Sequence, residues 1–537
     1  MTIFPNETVK LYGGIRIDPE YNNTLRWNNI SQQNTFFHST LTPIATLSNL
    51  SYQRVNKGVI RVQGAIGDFN TVNYMAFRNT DLNNKWFYAF VTKTEYVNNI
   101  TVDIFYTLDY IQSYYFWCPF LTCYVEREHV ADDTRGKHLL AEPININGLK
   151  PYGRLHKRFQ EWRLIIFVTQ KTAGGDFNIT RTGGFQNAVK IYARNVDTAS
   201  EIESLATWLP TITSDLEQVI CMYLYPKNLV NLTAIGGDHW DDYSLQVLEQ
   251  TIQFPNNVDG YTPRNNKVLT YPYCYLSVDN GDLANIYKYE FFNTAIQQTG
   301  GNMVFQIEGL PTASPTITCA PIAYKGSGVE QCYEERLQMQ QLPQIAFPID
   351  SFKAWLAQTQ STRQNKVISG ALSSAGSMAM TGAALGSALP GIGTAAGAIG
   401  GALLGAISGG VGGMISNAYA ESEAENLQNH VGGASQSNQA IAAYKYGYTF
   451  KYMGVQAEQA KVIDDFFTMF GYQVNELKTP DIHTRQRWNY IKTNGANFGG
   501  SVPAECMDVL KKVHDRGITY WQNHDDIGNY SLSNNPV

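Results

Sequence analysis

The sequence has few charged residues. They make up 16 % of its 537 positions, against roughly 25 % in typical soluble domains. The net charge is −6, whereas surfaces that grip nucleic acid are usually basic. This balance argues against a nucleic-acid-binding protein, although it allows a surface past which nucleic acid slides. A chain of this length is expected to hold about two to four domains.

Paired cysteines and a secretory signal are missing as well. The seven cysteines form no Cys-x-x-Cys pair and their number is odd, which argues against zinc ligation and a dense disulfide framework. We therefore expect mostly buried free thiols. The segment Met1–Glu7 has neither a basic region nor an apolar core, so no secretory signal is expected.

Catalytic signatures are absent from the sequence. There is no Gly-x-Ser-x-Gly elbow, phosphate-binding loop or His-Glu-x-x-His pair. Carboxylates and imidazoles do lie close together at Asp238–Asp242, at His514-Asp515 and at His524–Asp526. Such short clusters are more often solvated loops than metal sites. We expect no enzymatic activity, no catalytic residues, no metal and no cofactor.

One long segment has no charge at all. The 54 residues from Val367 to Ala420 contain no Asp, Glu, Lys or Arg, and 27 of them are Gly or Ala. The whole chain is polar on average, with a mean hydropathy of −0.26. An apolar run of roughly 18 residues or more is able to span a bilayer. A flexible linker, a permanently buried hairpin in an oligomer and conditional membrane insertion are the three readings, and the many Ile, Leu, Val and Met side chains favour insertion.

The charge-free segment is divided by Pro390-Gly391, a strong turn signal. Its arms, Val367–Leu389 and Ile392–Ile415, have 23 and 24 residues. As helices they would each be roughly 35 Å long, enough to cross a hydrocarbon core of about 30 Å. Glycines recur every four residues in the second arm, and such a stripe permits close helix packing. We assign membrane insertion or plugging to Leu385, Leu389, Pro390, Gly391, Ile392, Gly393, Gly397, Ile399, Gly401, Leu403, Leu404, Gly405, Ile407, Gly409, Val411, Gly413, Met414 and Ile415.

β structure is predicted before this segment. The strand-like runs Lys85–Val97 and Ile100–Leu108 flank Asn98-Asn99, which predicts a hairpin. Further on, Trp162–Val168 predicts a strand, and a helix is expected to begin near Ser200.

β structure is predicted after it too. Aromatic residues alternate with other residues from Tyr444 to Tyr452, which predicts a strand. An amphipathic helix is expected next, with Val462, Phe466 and Phe470 on one face. The charge-free segment is therefore predicted to be an excursion from one domain, and the fold class to be mainly β with some α (α+β).

Several short motifs on both flanks of the charge-free segment resemble those of a known family. They are Asn83–Thr92, Val125–Val130, Tyr271–Cys274, Gly471–Asn475, Thr484-Arg485, Trp488–Thr493, Gly517–Trp521 and Ile527–Ser531. The family that they resemble is the tail knob, or distal tail tube, protein of small short-tailed bacteriophages of the picovirus type. The charge-free segment sits where that family has its long hydrophobic loop.

The resemblance implies an assembly. β-rich tube-wall domains from residues 1–135 and 441–537 would form a ring or tube as a homohexamer. Residues 136–350 would form an inserted knob domain, and residues 351–440 the hydrophobic plug or membrane-inserting loop. The implied location is the tail tip of the virion.

The resemblance also implies a function. The loops would plug the lumen, then leave it and insert into the host cytoplasmic membrane, which gives the genome a channel. The implied partners are the other subunits, the proximal tail tube protein, membrane lipids, and viral DNA that passes without specific binding. The alternative is a purely structural tail or adaptor tube protein whose apolar loops only seal the lumen.

Overall fold

The computed structural model describes residues 7–50, 58–80, 83–169, 189–212, 219–234, 240–296, 299–312, 315–339, 342, 347–349, 430–432 and 446–537. The chain packs into two compact units. Unit 1 combines Met1–Gly148, Gly260–Tyr273 and Val455–Val537, and unit 2 combines Leu149–Asp259 with Cys274–Gly454. These units group residues by packing and not by role, so the four segments expected from the sequence stay a prediction.

Strands dominate the described residues, which confirms the predicted fold class. The strands are β1 Glu7–Gly13, β2 Asn23–Leu25, β3 Ala45–Leu50, β4 Val59–Gln63, β5 Val72–Asn79, β6 Trp86–Asn98, β7 Thr101–Leu108, β8 Cys123–Glu128, β9 Lys150–Arg158, β10 Trp162–Thr169, β11 Val189–Asn195, β12 Val219–Pro226 and β13 Val230–Ala234. They continue with β14 Trp240–Leu245, β15 Leu248–Ile252, β16 Cys274–Asp279, β17 Ala284–Tyr287, β18 Met303–Leu310, β19 Thr316–Pro321, β20 Leu337–Met339, β21 Phe347–Ile349, β22 His430–Gly432, β23 Gly447–Gly454, β24 Tyr472–Lys478, β25 Trp488–Asn494 and β26 Ile518–Trp521. The α-helices are α1 Ile30–Thr35, α2 Tyr110–Tyr114, α3 Ala199–Ile212, α4 Ala457–Phe470 and α5 Ala504–Arg516.

Unit 1 contains two sheets. The first has the strand order β3-β1-β5-β6-β7-β4, and the second has the order β2-β26-β25-β8-β24. β2 and β26 pair in parallel, so the N-terminal and C-terminal parts of the chain share one sheet. The core of this unit includes the neighbouring rings of Trp488 and Trp521, which are tilted by 39° and whose centroids lie 5.0 Å apart.

The predicted hairpin is confirmed. β6 and β7 pair antiparallel, and the last pair joins Asn98 to Thr101, so the turn lies one residue later than Asn98-Asn99. Val102 and Ile104 are completely buried, as the alternation of β7 predicts. The strand at β10 and the helix α3 lie where the sequence placed them.

Helix α4 lies where it was predicted, but the predicted face is wrong. Val462 is 67 % exposed, whereas Ile463 and Phe467 are buried. Val462, Phe466 and Phe470 are spaced four residues apart, and so are Ile463 and Phe467. Either set could form the apolar face of a helix, so periodicity could not choose between them. The buried face also holds Asp464, a polar residue that the apolar pattern excludes.

The side chain of Asp464 on α4 forms hydrogen bonds with the segment Gly260–Tyr273 within unit 1. Its side chain is completely buried. Its carboxylate accepts hydrogen bonds from the hydroxyl of Tyr261 (2.8 Å) and from the backbone N–H groups of Arg264 and Asn265 (each 3.0 Å). These bonds compensate the cost of burying a charge.

A second buried carboxylate also lies in unit 1. The side chain of Glu142 is 0 % exposed and forms ion pairs with Arg127 and Lys267, whose side chains are 9 % and 4 % exposed. Its Oε1 also accepts from the backbone N–H of Gln473 (3.0 Å). Burial lowers the pKa of Lys267, and the pairing with Glu142 opposes that shift.

Unit 2 is built from smaller sheets. Their strand orders are β11-β10-β12, β13-β14, β15-β18-β19-β20, β17-β16-β23-β9 and β21-β22. Over both units all seven cysteines are free and buried, which confirms the expectation of buried thiols.

Candidate functional site

The residues assigned to membrane insertion, from Leu385 to Ile415, lie outside the described residues. The predicted strand start at Tyr444 does so as well. Among the helices that the structure does describe, none has the length and apolar character needed to cross a membrane. The candidate site is therefore built from the described residues that frame the charge-free segment.

Two short strands join the ends of that segment. β21 and β22 pair antiparallel, with Phe347 opposite Gly432, Pro348 opposite Val431 and Ile349 opposite His430. The Cα atoms of such pairs lie about 4.5–5.5 Å apart. Residues 350–429 thus leave and return at one place. The sequence analysis predicted an excursion here but had not identified the two strands.

Strands with buried side chains flank this pair in sequence. On the N-terminal side, Leu337 and Met339 of β20 are buried. β20 pairs with β19, with Cys319 opposite Leu337. On the C-terminal side, β23 lies between β16 and β9 in its own sheet. The strands that flank the pair in sequence therefore contribute to the core of unit 2.

Tyr448 connects the two flanking strands. Its hydroxyl donates to the carbonyl oxygen of Ile317 on β19 (2.9 Å) and lies 3.3 Å from that of Leu337 on β20. Burial raises the pKa of Tyr448 well above its usual value, so the hydroxyl stays protonated and can donate. On the same strand, Phe450 packs on Phe305 with a centroid distance of 5.1 Å.

The cluster His514-Asp515 has structural partners, whereas Asp238 and His239 of the cluster Asp238–Asp242 lie outside the described residues. His514 is buried, with Nδ1 2.7 Å from the carbonyl oxygen of Leu510 and Nε2 2.7 Å from the hydroxyl of Tyr520. Burial lowers its pKa to about 4, so the ring is neutral at neutral pH. Asp515 accepts from the backbone N–H of Ala496 (2.9 Å). Among the described residues, no three His, Cys, Asp or Glu side chains are grouped to hold a metal ion.

His129, in the motif Val125–Val130, has a structural role. Tyr490 N donates to its Nδ1 (2.8 Å), so Nε2 carries the proton and donates to the carbonyl oxygen of Thr468 (3.1 Å). Trp488 Nε1 donates to the same oxygen (2.8 Å). Burial lowers the pKa of His129 to about 3. Motifs far apart in sequence are therefore interlocked in unit 1, and their spacing gave no sign of it.

Two residues of the motif Gly471–Asn475 have backbone conformations with a positive φ angle. Gly471 ends α4 with φ +65°, and a Cβ there would overlap the carbonyl oxygen of Glu128. Asn475 has φ 49°, at the irregularity where β24 pairs with β8. Glycine and asparagine are the residues that tolerate this conformation best.

An open groove of about 620 Å³ lies on unit 1. Phe466 and Phe470 line it, which explains why that face of α4 is apolar without being part of the core. The groove also contains cations, but Arg127 is paired with Glu142 and Lys492 Nζ lies 2.7 Å from Glu126 Oε1.

The chain is similar in sequence and in fold to tail knob proteins of bacteriophages. The chain is 23 % identical to the tail knob protein gp9 of Bacillus phage B103 and 22 % identical to that of Bacillus phage PZA, in each case over 98 % of both chains. Its fold is similar to that of the tail knob protein gp12 of bacteriophage C1. That similarity has a TM-score of 0.65 at 13 % identity, over 99 % of this chain and 100 % of the other.

Two protein families match the sequence. Residues 5–118 match the N-terminus of the caudoviral major tail protein. Residues 239–535 match the C-terminal domain of tail knob protein gp9 of Bacillus phage phi29. Because the second match spans more than half of the chain, the chain belongs to the family of bacteriophage tail knob proteins, which are structural components of the virion.

Proposed function

We propose that six copies of this chain form a tube at the distal tip of a short phage tail. The charge-free segments plug its lumen before infection. They then leave the tube and insert into the host cytoplasmic membrane, where they form a channel for the genome. No step of this function requires catalysis or a cofactor.

The pairing of β21 with β22 is the observation that carries this proposal. It holds the two ends of the excursion side by side, as a hairpin with two membrane-crossing arms requires. Between those ends lie the arms of 23 and 24 residues, separated by Pro390-Gly391. A backbone that enters lipid must satisfy its own hydrogen bonds, which two paired helical arms would achieve.

Physical chemistry supports storage before insertion. A charge-free segment of 54 residues would promote aggregation if it were exposed on single subunits. Six such segments packed together inside a tube would be hidden from water. The glycines at every fourth position from Gly393 to Gly413 would allow close helix packing in the plug and in the bilayer.

Charge supports free passage of DNA. Each chain carries a net charge of −6, and a hexamer multiplies it. A lumen that is neutral or acidic does not retain phosphates, so DNA would pass without specific binding. The remaining partner would be the proximal tail tube protein, on which the hexamer would be seated in the virion.

Dye release from liposomes tests the insertion step. We expect the purified oligomer to release dye and a variant lacking residues 367–415 to assemble without releasing it. The pairing of β21 with β22 lies outside this deletion, so the frame remains. Equal dye release by the deletion variant would refute membrane insertion.

A charge-insertion pair provides the matched control. Leu403→Glu with Ile407→Glu places two carboxylates in the second arm, each at a cost of about 2.5–3.5 kcal/mol in a bilayer. Ser435→Glu with Asn438→Glu places the same charge in the polar flank. We expect only the first variant to lose dye release.

The alternative is a tube protein whose loops only seal the lumen. It predicts that the charge-free segment stays protected from protease when liposomes are added. Loss of that protection, together with dye release, would favour insertion. Zymography with the purified chain on cell-wall polymer tests for enzymatic activity, and we expect none.

A further inference from the structure

The sheet β17-β16-β23-β9 has two unlike faces. On one face Leu276, Val278 and Phe450 are completely buried. On the other face the register places Arg154 of β9 opposite Lys451 of β23, and His156 opposite Thr449. The bond between His156 Nδ1 and Thr449 Oγ1 (3.0 Å) confirms that the side chains of this second pair share a face.

The second face carries a row of cations on β9. Arg154, His156 and Arg158 are exposed and alternate along the strand. Alternate residues of a strand lie about 6.7 Å apart, so Arg154 and Arg158 are separated by roughly 13 Å. β9 is an edge strand of the sheet, which leaves this row accessible along its length.

These cations lack acidic partners. Over the part of the chain that the structure describes, Arg154 and Arg158 form no ion pair, whereas Lys451 pairs with Asp279. Arg154 also lies directly opposite Lys451, and like charges so placed destabilise a sheet. A chain with a net charge of −6 thus concentrates unpaired positive charge on one face.

We propose that this β9 face binds a linear polymer of phosphodiester groups, a polyol phosphate. The guanidinium fork of arginine matches the geometry of phosphate oxygens. A single row of cations fits one flexible chain of phosphates. This binding is independent of membrane insertion.

Nucleic acid fits this face less well. Single-stranded nucleic acid is usually held by cations together with aromatic side chains on which bases stack. The row formed by Arg154, His156 and Arg158 with Thr449 and Lys451 contains no Phe, Tyr or Trp side chain. Duplex DNA presents two rows of phosphates across a groove about 12 Å wide, whereas β9 offers one row.

Protection of the edge strand explains the row only in part. Cations on an edge discourage pairing with a second chain. One or two lysines serve that purpose. Protection of the edge does not require an arginine opposite Lys451. Binding of phosphate explains both the residue type and the like-charge contact.

The test measures binding by the full-length protein. The probe is a fluorescently labelled glycerol-phosphate oligomer, and the readout is anisotropy at about 50 and 200 mM salt. Arg154→Gln with Arg158→Gln should lower the affinity at least about tenfold at the lower salt and reduce the salt dependence. Arg154→Lys with Arg158→Lys keeps the charge and should retain part of the affinity, because only the fork geometry is lost.

The matched control removes two cations that do have partners. Arg61 is paired with Asp103 (2.7 Å) and Lys93 with Glu95 (3.1 Å), both on the surface of unit 1. Arg61→Gln with Lys93→Gln should bind the oligomer as the wild type does. Circular dichroism of each variant checks that it is folded.

Three results would overturn the proposal. One is unchanged binding by the Arg154→Gln, Arg158→Gln variant. Another is equal affinity for polyglutamate of the same charge, which would mean general attraction of anions. The third is tighter binding of single-stranded or duplex DNA than of the glycerol-phosphate oligomer, which would assign the face to nucleic acid.

Discussion

Charged groups are used in opposite ways in the core of unit 1 and on the β9 face of unit 2. In unit 1, Glu142 and Asp464 are buried, and each is surrounded by donors. On the β9 face, Arg154 and Arg158 are exposed and have no acidic partner among the described residues. A charged group whose hydrogen bonds and ion pairs are made within the protein stabilises the fold. A charge without a partner is available to a ligand.

The largest expected effect is that of removing Glu142. Glu142→Ala leaves Arg127 and Lys267 buried without their carboxylate, and breaking such a group typically costs about 3–5 kcal/mol. Urea unfolding measures this loss. Glu95→Ala, which removes the exposed partner of Lys93, is the control and should cause no resolvable change. Equal losses in both variants would remove the distinction between buried and exposed pairs.

Removal of Asp464 should have the next largest effect. Asp464→Ala deprives Arg264 N, Asn265 N and the Tyr261 hydroxyl of their acceptor. We expect a loss of about 3 kcal/mol in the free energy of unfolding and faster proteolysis within Gly260–Tyr273. Asp508→Ala removes an exposed carboxylate from α5 and serves as the control. Unchanged proteolysis in the Asp464 variant would mean that other contacts hold this segment.

The pH dependence of stability should follow from Asp109. Its carboxylate is completely buried and accepts from the Tyr74 hydroxyl (2.8 Å) and Gln112 N (3.0 Å). Burial raises its pKa from 3.8 to about 7. The carboxyl group of Asp109 therefore ionises at a lower pH in the unfolded chain than in the folded one. Its contribution to the free energy of unfolding is complete below pH 3.8 and is lost as the pH rises through about 7.

The Asp109→Asn variant isolates this contribution. The difference between its unfolding free energy and that of the wild type should change by on the order of 1 kcal/mol per pH unit across that window. Asp103 is the contrasting residue, because the hydrogen bond from Arg61 lowers its pKa. Its contribution is lost as the pH falls. A flat difference curve for Asp109→Asn would show that its carboxyl does not titrate in this window.

The smallest effect is expected on the β9 face. Arg154→Gln with Arg158→Gln should change the free energy of unfolding by less than about 0.5 kcal/mol. The change should be towards greater stability, because the repulsion between Arg154 and Lys451 is relieved. Chemical unfolding at low salt is the sensitive measurement. A clear destabilisation would mean that these arginines serve the fold.

The sequence predicted structure well where local chemistry decides it. The asparagines near residue 98 predicted the β6–β7 hairpin. The alternation of side chains along β7 agrees with the residues that are buried. The sequence-based prediction failed on α4, where Ile463 and Phe467 compete with Val462 and Phe466 for the same core. Burial of Asp464 settled that choice, and its partners lie about 200 positions away in the chain.

The candidate site was predictable only in part. The charge-free segment is visible in composition, but the pairing of Phe347–Ile349 with His430–Gly432 is not, because three-residue strands carry little signal. The basic row of β9 was also missed. Its sequence shows no regular alternation of apolar and polar residues, and the cations at alternate positions can be recognised as one face only when β23 is placed beside it.

The paired strands β21 and β22 have a consequence for variation in length. Because the excursion starts and ends at adjacent residues, its length is not constrained by the rest of unit 2. The entropic cost of closing a flexible loop rises by only about 0.6 kcal/mol for each doubling of its length. Related chains can therefore lengthen or shorten the excursion with little cost to folding.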